Sequence, residues 1–162
     1  FKLTLSAFSF PLVVLAIDLT IRVLGKSIAR ATITLSYPLA IISSIVVLLI
    51  EGSTESVAFR IGFASATAYG VSTLLDVYLF QIIRERYNAW WIAPSISTIF
   101  ANIIDTYVFF FSAFSNSSDQ YMADNWLEIS ATQSLIKIII GLLLFLPFYG
   151  VLLNFILKKF KK

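Results

Sequence analysis

Five apolar runs separated by short polar breaks divide the chain, at residues 5–24, 31–50, 57–83, 91–114 and 126–157. Each has 20 residues or more, about the length an α-helix needs to cross a bilayer. The polar breaks carry the end signals of helices. The first run closes on D-L-T-I-R-V-L-G-K, which predicts a helix end near Gly25. Glu51–Ser56, E-G-S-T-E-S, reads as a tight turn, and 115–125, S-N-S-S-D-Q-Y-M-A-D-N, as the longest connection, with Asp124 or Asn125 predicted to cap the next helix. Trp90 and Trp91 open the fourth run with rings suited to a membrane interface, Pro38 is an expected kink in the second run, and Glu128, Lys137 and Pro147 interrupt the fifth.

Composition strengthens this pattern. The chain is 59% hydrophobic and 13% charged, with mean hydropathy +0.89, against about 45–50% apolar and about 25% charged residues in soluble domains. A soluble fold would have to bury all five runs in the core of a 162-residue domain, which lacks the interior for them. The predicted class is therefore all-α, a polytopic transmembrane helical bundle forming a single domain over 1–162, with five spans here and six expected in the parent protein.

Charge sets an expected orientation. The net charge is +3, but the bases do not form a nucleic-acid patch. Arg22, Lys26 and Arg30 follow run one, Arg84 and Arg86 follow run three, and lysines crowd the end of run five, while the other two breaks carry only acids. The positive-inside rule makes those three basic ends cytoplasmic, the C-terminus included, and excludes nucleic acid as the implied partner in favour of the lipid bilayer.

Candidate chemistry lies inside the runs, where ionisable groups are costly and mark functional sites by default. Helical spacing gathers Thr98, Asn102, Asp105 and Phe109 on one face, Tyr69, Thr73, Asp76 and Phe80 on a second helix, and Ser130, Ser134, Lys137 and Gly141 on a third. Such stripes face a bundle interior or a wet cavity. At about 1.5 Å per residue, Asp105 lies roughly 14 Å and Lys137 about 16 Å from the acidic-break ends of their runs, so the two can meet. Asp18, at about 20 Å, and Asp76, at nearly 28 Å, lie deeper and are expected to bond to Arg22, Arg30 or Arg84. Asp105 and Lys137 serve either as a structural ion pair or as a solute site. Arg60 is expected to reach the outer surface as an anchor. Gly62, Ala66 and Gly70 have the spacing that lets helix backbones approach, within the bundle or in a homodimer. An echo links S-T-L-L-D-V-Y-L-F (72–80) to A-N-I-I-D-T-Y-V-F (101–109), placing Asp76 and Asp105 at corresponding points of two neighbouring helices.

With no cysteine or histidine, thiol nucleophiles, the usual zinc sites and imidazole relays are excluded, and no cofactor is implied. G-x-x-x-x-G-K-[ST], G-x-S-x-G and H-E-x-x-H are absent, so no enzyme is expected.

F-S-F-P-L-V-V-L-A-I-D-L-T-I-R-V-L-G-K-S-I-A-R (8–30), L-L-D-V-Y-L-F (74–80), W-W-I-A-P-S-I-S-T-I-F-A-N-I-I-D-T (90–106) and F-L-P-F-Y-G-V-L-L-N (145–154) resemble the queuosine precursor transporters, a family of bacterial inner-membrane proteins also grouped as vitamin uptake transporters. The resemblance implies import of 7-cyano-7-deazaguanine or a related deazapurine. It departs in lacking the family's first span and in a shorter 51–56 turn. A deazaguanine offers a donor edge that a carboxylate accepts and a carbonyl that an ammonium or amide donates to. Asp105, Asn102 and Lys137, with Asp76, Asp18 and the rings of Tyr69 and Tyr107, are the substrate-binding candidates; Phe100 and Phe109 are further ring candidates. The alternatives are a substrate-binding membrane subunit that works with a separate ATPase, or an importer of another vitamin-like molecule.

Overall fold

The computed structural model describes residues 6–160 and is helical with no strand among them. Leu5 of the first run and Lys161 and Lys162 of the basic tail lie outside the described residues. The elements are α1 (Ser6–Leu24), α2 (Lys26–Ile50), α3 (Glu55–Arg86), α4 (Ile92–Phe114), α5 (Gln120–Ile140), a π-turn (Gly141–Phe145) and α6 (Leu146–Phe160). The last three run on as one rod, so five rods answer the five predicted spans. Four stretches, α2, α3, α4 and 120–158, are long and apolar enough to cross a membrane by length and composition. The protein is a multi-pass membrane protein.

Helix boundaries follow local chemistry. Gly25, with φ +89°, separates α1 from α2 in a single residue, its N–H donating to the Ile21 carbonyl at 3.0 Å. A left-handed residue at a helix end favours glycine. α2 therefore begins at Lys26 rather than at Ala31, and the basic segment K-S-I-A-R is helical. Gly52, φ +86°, ends α2 as Ser53 N–H reaches back to Leu48 O at 3.0 Å, a Schellman closure. α5 starts six residues before the apolar run does, because Asp119 is its cap: the carboxylate accepts from Met122 N–H at 3.1 Å. The expected caps fail: Asp124 and Asn125 lie inside α5, where the Asn125 amide donates to Tyr121 O. Pro147, lacking an N–H, cannot donate to Leu143 O, and the π-turn ends just before it.

The core is the antiparallel pair α3 and α4, the most enclosed of the helices, with α2 against α3, α5 against α4, and α1 bridging the bundle. α3 owes its central place to small side chains. Ala58, Gly62, Ala64, Ala66, Ala68 and Ser72 are all buried on it. A Cβ at Gly62 would strike the Ile45 side chain, and one at Gly70 would sit 2.9 Å from the Tyr37 ring, so both glycines admit α2 to close contact. The small-residue face expected from the sequence is used between α2 and α3. Leucine, isoleucine and phenylalanine on the outer faces stay exposed, as a lipid-facing surface requires. At the loop end of α4, Arg60 donates to Ser115 O at 2.5 Å and Asn116 O at 3.3 Å, neutralising carbonyls that the helix leaves unpaired.

Gly70→Ala places a methyl against Tyr37 and should cost about 1–3 kcal/mol by overpacking. Heat unfolding in detergent should show a lower Tm for Gly70→Ala and partial recovery in Gly70→Ala/Tyr37→Leu; equal Tm values for Gly70→Ala and the parent would refute the close α2–α3 contact.

Candidate functional site

The polar stripes of α3, α4 and α5 turn into the bundle, with α4 in contact with both of the others. Thr98, Asn102 and Asp105 of α4, Thr73 and Asp76 of α3, and Ser130, Ser134 and Lys137 of α5 are all buried. Most of the hydroxyls satisfy themselves on their own helix. Thr106 donates to Asn102 O at 2.7 Å, Ser72 to Ala68 O at 2.6 Å, and Ser130 to Trp126 O at 2.6 Å. These residues therefore enter a membrane interior at low cost, whereas carboxylate and ammonium groups need partners from other helices.

Lys137 Nζ donates to Asp105 Oδ2 at 2.9 Å, joining α5 to α4 in a pair that is 6% and 11% exposed at its two side chains. Ser72 of α3 faces the same carboxylate. The matched depth read from the sequence survives although α5 begins at Gln120, because the first turn and a half of α5 precedes the apolar run. Asn102, one turn from Asp105, donates through Nδ2 to Thr98 O at 2.7 Å. Its Oδ1 is buried without a hydrogen-bond partner among the described residues. The centre thus combines an anion, a cation and an available amide oxygen. Those are the groups that bind a planar solute having both donor and acceptor edges.

A second centre lies along α4 toward Ile92. Asp18 of α1 and Asp76 of α3 are 1% and 0% exposed and face each other, with Ser97 of α4 beside them. Ser97 Oγ is 3.5 Å from both Asp18 oxygens. The expected anchoring of these aspartates to arginines does not occur. Among the described residues neither has an arginine or lysine at ion-pair distance. Arg22 instead donates to Trp90 O and Tyr149 Oη, each at 3.3 Å, because its side chain leans toward the helix end where α6 and the 87–91 connection offer acceptors. The echo pairs neighbouring helices, but antiparallel packing puts Ser72 rather than Asp76 opposite Asp105.

The ring candidates separate. Tyr69 Oη lies 3.0 Å from Ser36 Oγ at the α2–α3 contact. Phe100, 48% exposed, points out of the bundle, and Phe109 packs edge-on against Phe110 and Phe114. Tyr107, two residues past Asp105, is half-buried. Sequence reasoning missed Ser97 and Tyr149. Tyr149 is 1% exposed and stacks with Trp90 at 6.4 Å, while Gly150 leaves room for that indole, since a Cβ there would lie 2.6 Å from it. The signal available was Gly150 beside Tyr149 in F-Y-G-V, a small residue next to a polar ring in an apolar run.

Breaking a buried pair strands a charge, at a cost of about 3–5 kcal/mol, whereas replacing both partners by apolar groups is close to neutral. Lys137→Met should therefore lower Tm sharply, and Lys137→Met/Asp105→Leu should recover most of the loss in heat unfolding. A double variant as unstable as Lys137→Met would show that the two residues are not paired.

Comparison with known proteins places the chain. A family model described as "Putative vitamin uptake transporter" matches residues 4–152. The "Queuosine precursor transporter" of Escherichia coli (strain K12) is 41% identical across 98% of this chain and 76% of its own length. The "Probable queuosine precursor transporter" of Haemophilus influenzae is 40% identical across 98% of this chain and 72% of its own. No solved structure gives a significant match. By the family model and by these identities over nearly its whole length, the chain belongs to the vitamin uptake transporter family that includes these queuosine precursor transporters.

Proposed function

We propose that this protein imports a queuosine precursor, 7-cyano-7-deazaguanine or a closely related deazapurine, across the bacterial inner membrane. The observation that carries the reading is the buried Lys137–Asp105 pair, 2.9 Å apart, with the unpartnered Asn102 Oδ1 one turn away. In the proposed complex the base's adjacent N–H groups lie along the Asp105 carboxylate, its ring carbonyl takes the Lys137 ammonium, and Asn102 Oδ1 accepts a remaining N–H. Each group of the pair exchanges its partner for a matching group on the solute, so neither charge is left bare in a low-dielectric interior. Neither tyrosine is placed to cover the ring: Tyr69 is held on Ser36 and serves the helix contact, and Tyr107, two residues from Asp105, lies on another face of α4.

The orientation proposed has Arg22, Lys26, Arg30, Arg84 and Arg86 on the cytoplasmic side, together with the C-terminal lysines. The Lys137–Asp105 centre is then the outer of the two polar centres, nearer the acidic 115–119 connection, where a solute from outside arrives first. The names of the relatives and the edge chemistry of the centre support the same ligand class.

A binding experiment on purified protein tests this. Radiolabelled 7-cyano-7-deazaguanine should bind and be displaced by 7-aminomethyl-7-deazaguanine far better than by riboflavin. Asp105→Leu/Lys137→Met, expected to stay folded, should lose at least about a hundredfold in affinity, as for a site built around hydrogen bonds that are removed together. A folded double variant that binds the base as tightly as the parent would overturn the assignment of the site.

A further inference from the structure

We propose that Asp18 and Asp76 form a separate cation site between α1 and α3 that takes one proton or one Na+ and couples it to solute movement. The coupling part rests on the transport reading above; the site itself does not. Two carboxyl groups on different helices face each other with 1% and 0% exposure, and the two buried Asp76 oxygens have only Asp18 and Ser97 near them, neither at ordinary hydrogen-bond geometry. Two carboxylates brought together out of water require a positive charge between them.

Among the described residues the surrounding elements close no ion pair on either carboxyl, although Arg22 acts on Asp18 from a distance. On α1, Arg22 donates to Trp90 O and Tyr149 Oη. On α3, Arg84 is two turns beyond Asp76 and lies near Tyr149. α6 brings Tyr149, a neutral phenol, and α4 brings Ser97 and Thr98, which are uncharged. α2 has no ionisable group between Arg30 and Tyr37. α5 brings Lys137, which is committed to Asp105 at 2.9 Å. What the neighbourhood does supply is oxygen. Ser97 Oγ stands 3.5 Å from both Asp18 oxygens, a distance too long for a good hydrogen bond but suited to closing on a small cation between them.

A separate feature adjoins Asp18, though not Asp76 or Ser97. A cavity of about 10 Å³ borders Asp18, Thr98, Gly141 and Tyr149. It has room for about one water or a bare ion. Its wall includes the π-turn, a backbone irregularity that in helices often accompanies a functional site. Ser97 and Asp105 are eight residues apart on α4, so the cation centre and the solute centre stand about 12 Å apart along one helix. A single movement of α4 acts on both.

The experiment uses the purified chain in liposomes at zero membrane potential, loaded for two assays with radiolabelled 7-cyano-7-deazaguanine. The first is counterflow, exchange of labelled for unlabelled base with no ion gradient. The second is accumulation driven by a tenfold inward gradient of H+ without Na+, or of Na+ at equal pH. One cation per solute sustains about tenfold accumulation. The expected result is accumulation with one of the two gradients, which also identifies the cation. Asp76→Asn and Asp18→Asn should exchange the base at a rate that no longer responds to that cation and should not accumulate it. Wild-type exchange that ignores both cations, or variants that accumulate like the parent, would overturn the proposal. Absence of wild-type counterflow would sink the transport reading alone. The site is then read in detergent, where lowering the pH or adding Na+ should raise Tm of the parent but not of Asp76→Asn; equal responses of the two proteins would overturn it.

Discussion

Inside a membrane a charged side chain has no water to fall back on, and the arrangement of this bundle follows from where its charges find partners. Lys137 can be accommodated on α5 because Asp105 of α4 meets it at 2.9 Å. That pair fixes the rotation of both helices about their axes, since either ammonium or carboxylate turned to lipid would be uncompensated. With α4 so oriented, Asn102, Thr98 and Ser97 necessarily turn inward, toward α3 and α1. The polar stripes are the consequence of one constraint satisfied once.

Two kinds of polar residue behave differently under that constraint. Serines and threonines bond back to carbonyls of their own helix, as Thr20 to Ala16, Thr32 to Ile28 and Ser95 to Trp91 also do. They tolerate either lipid or protein and so leave helix packing undetermined. Carboxylates cannot do this, because a helix carbonyl offers no donor. Asp105 is answered by a lysine, whereas Asp18 and Asp76 face each other beside a serine, and these three residues mark the two places where α1, α3, α4 and α5 come together around something other than hydrocarbon.

Membership of a transporter family gives this geometry its meaning without supplying it. A solute path requires groups whose partners can be exchanged. An ion pair, an unpartnered amide oxygen and two facing carboxyls are such groups, whereas the Gly62–Ile45 and Gly70–Tyr37 contacts are close-packed and hold α2 to α3. Close packing on one side of α3 and polar contacts on the other divide the bundle into a scaffold and a candidate site.

The hydrophobic pattern by itself determined the five rods, the all-α class and which face of α3, α4 and α5 turns inward, because a 3.6-residue period and the cost of charge in hydrocarbon act locally. The meeting of Asp105 and Lys137 was also legible, as depth along a helix is counted in residues. Helix starts were legible where the apolar boundary coincided with the first turn, as at Ile92; Asp119 lies seven residues before Trp126, so α5 began earlier than its apolar run. Tertiary structure alone decided that Asp18 meets Asp76, that Arg22 turns to Trp90 and Tyr149, and that Phe100 faces outward. The reason is that each depends on the azimuth of one helix against another, and an apolar sequence leaves that angle open until side chains from three or four helices pack together.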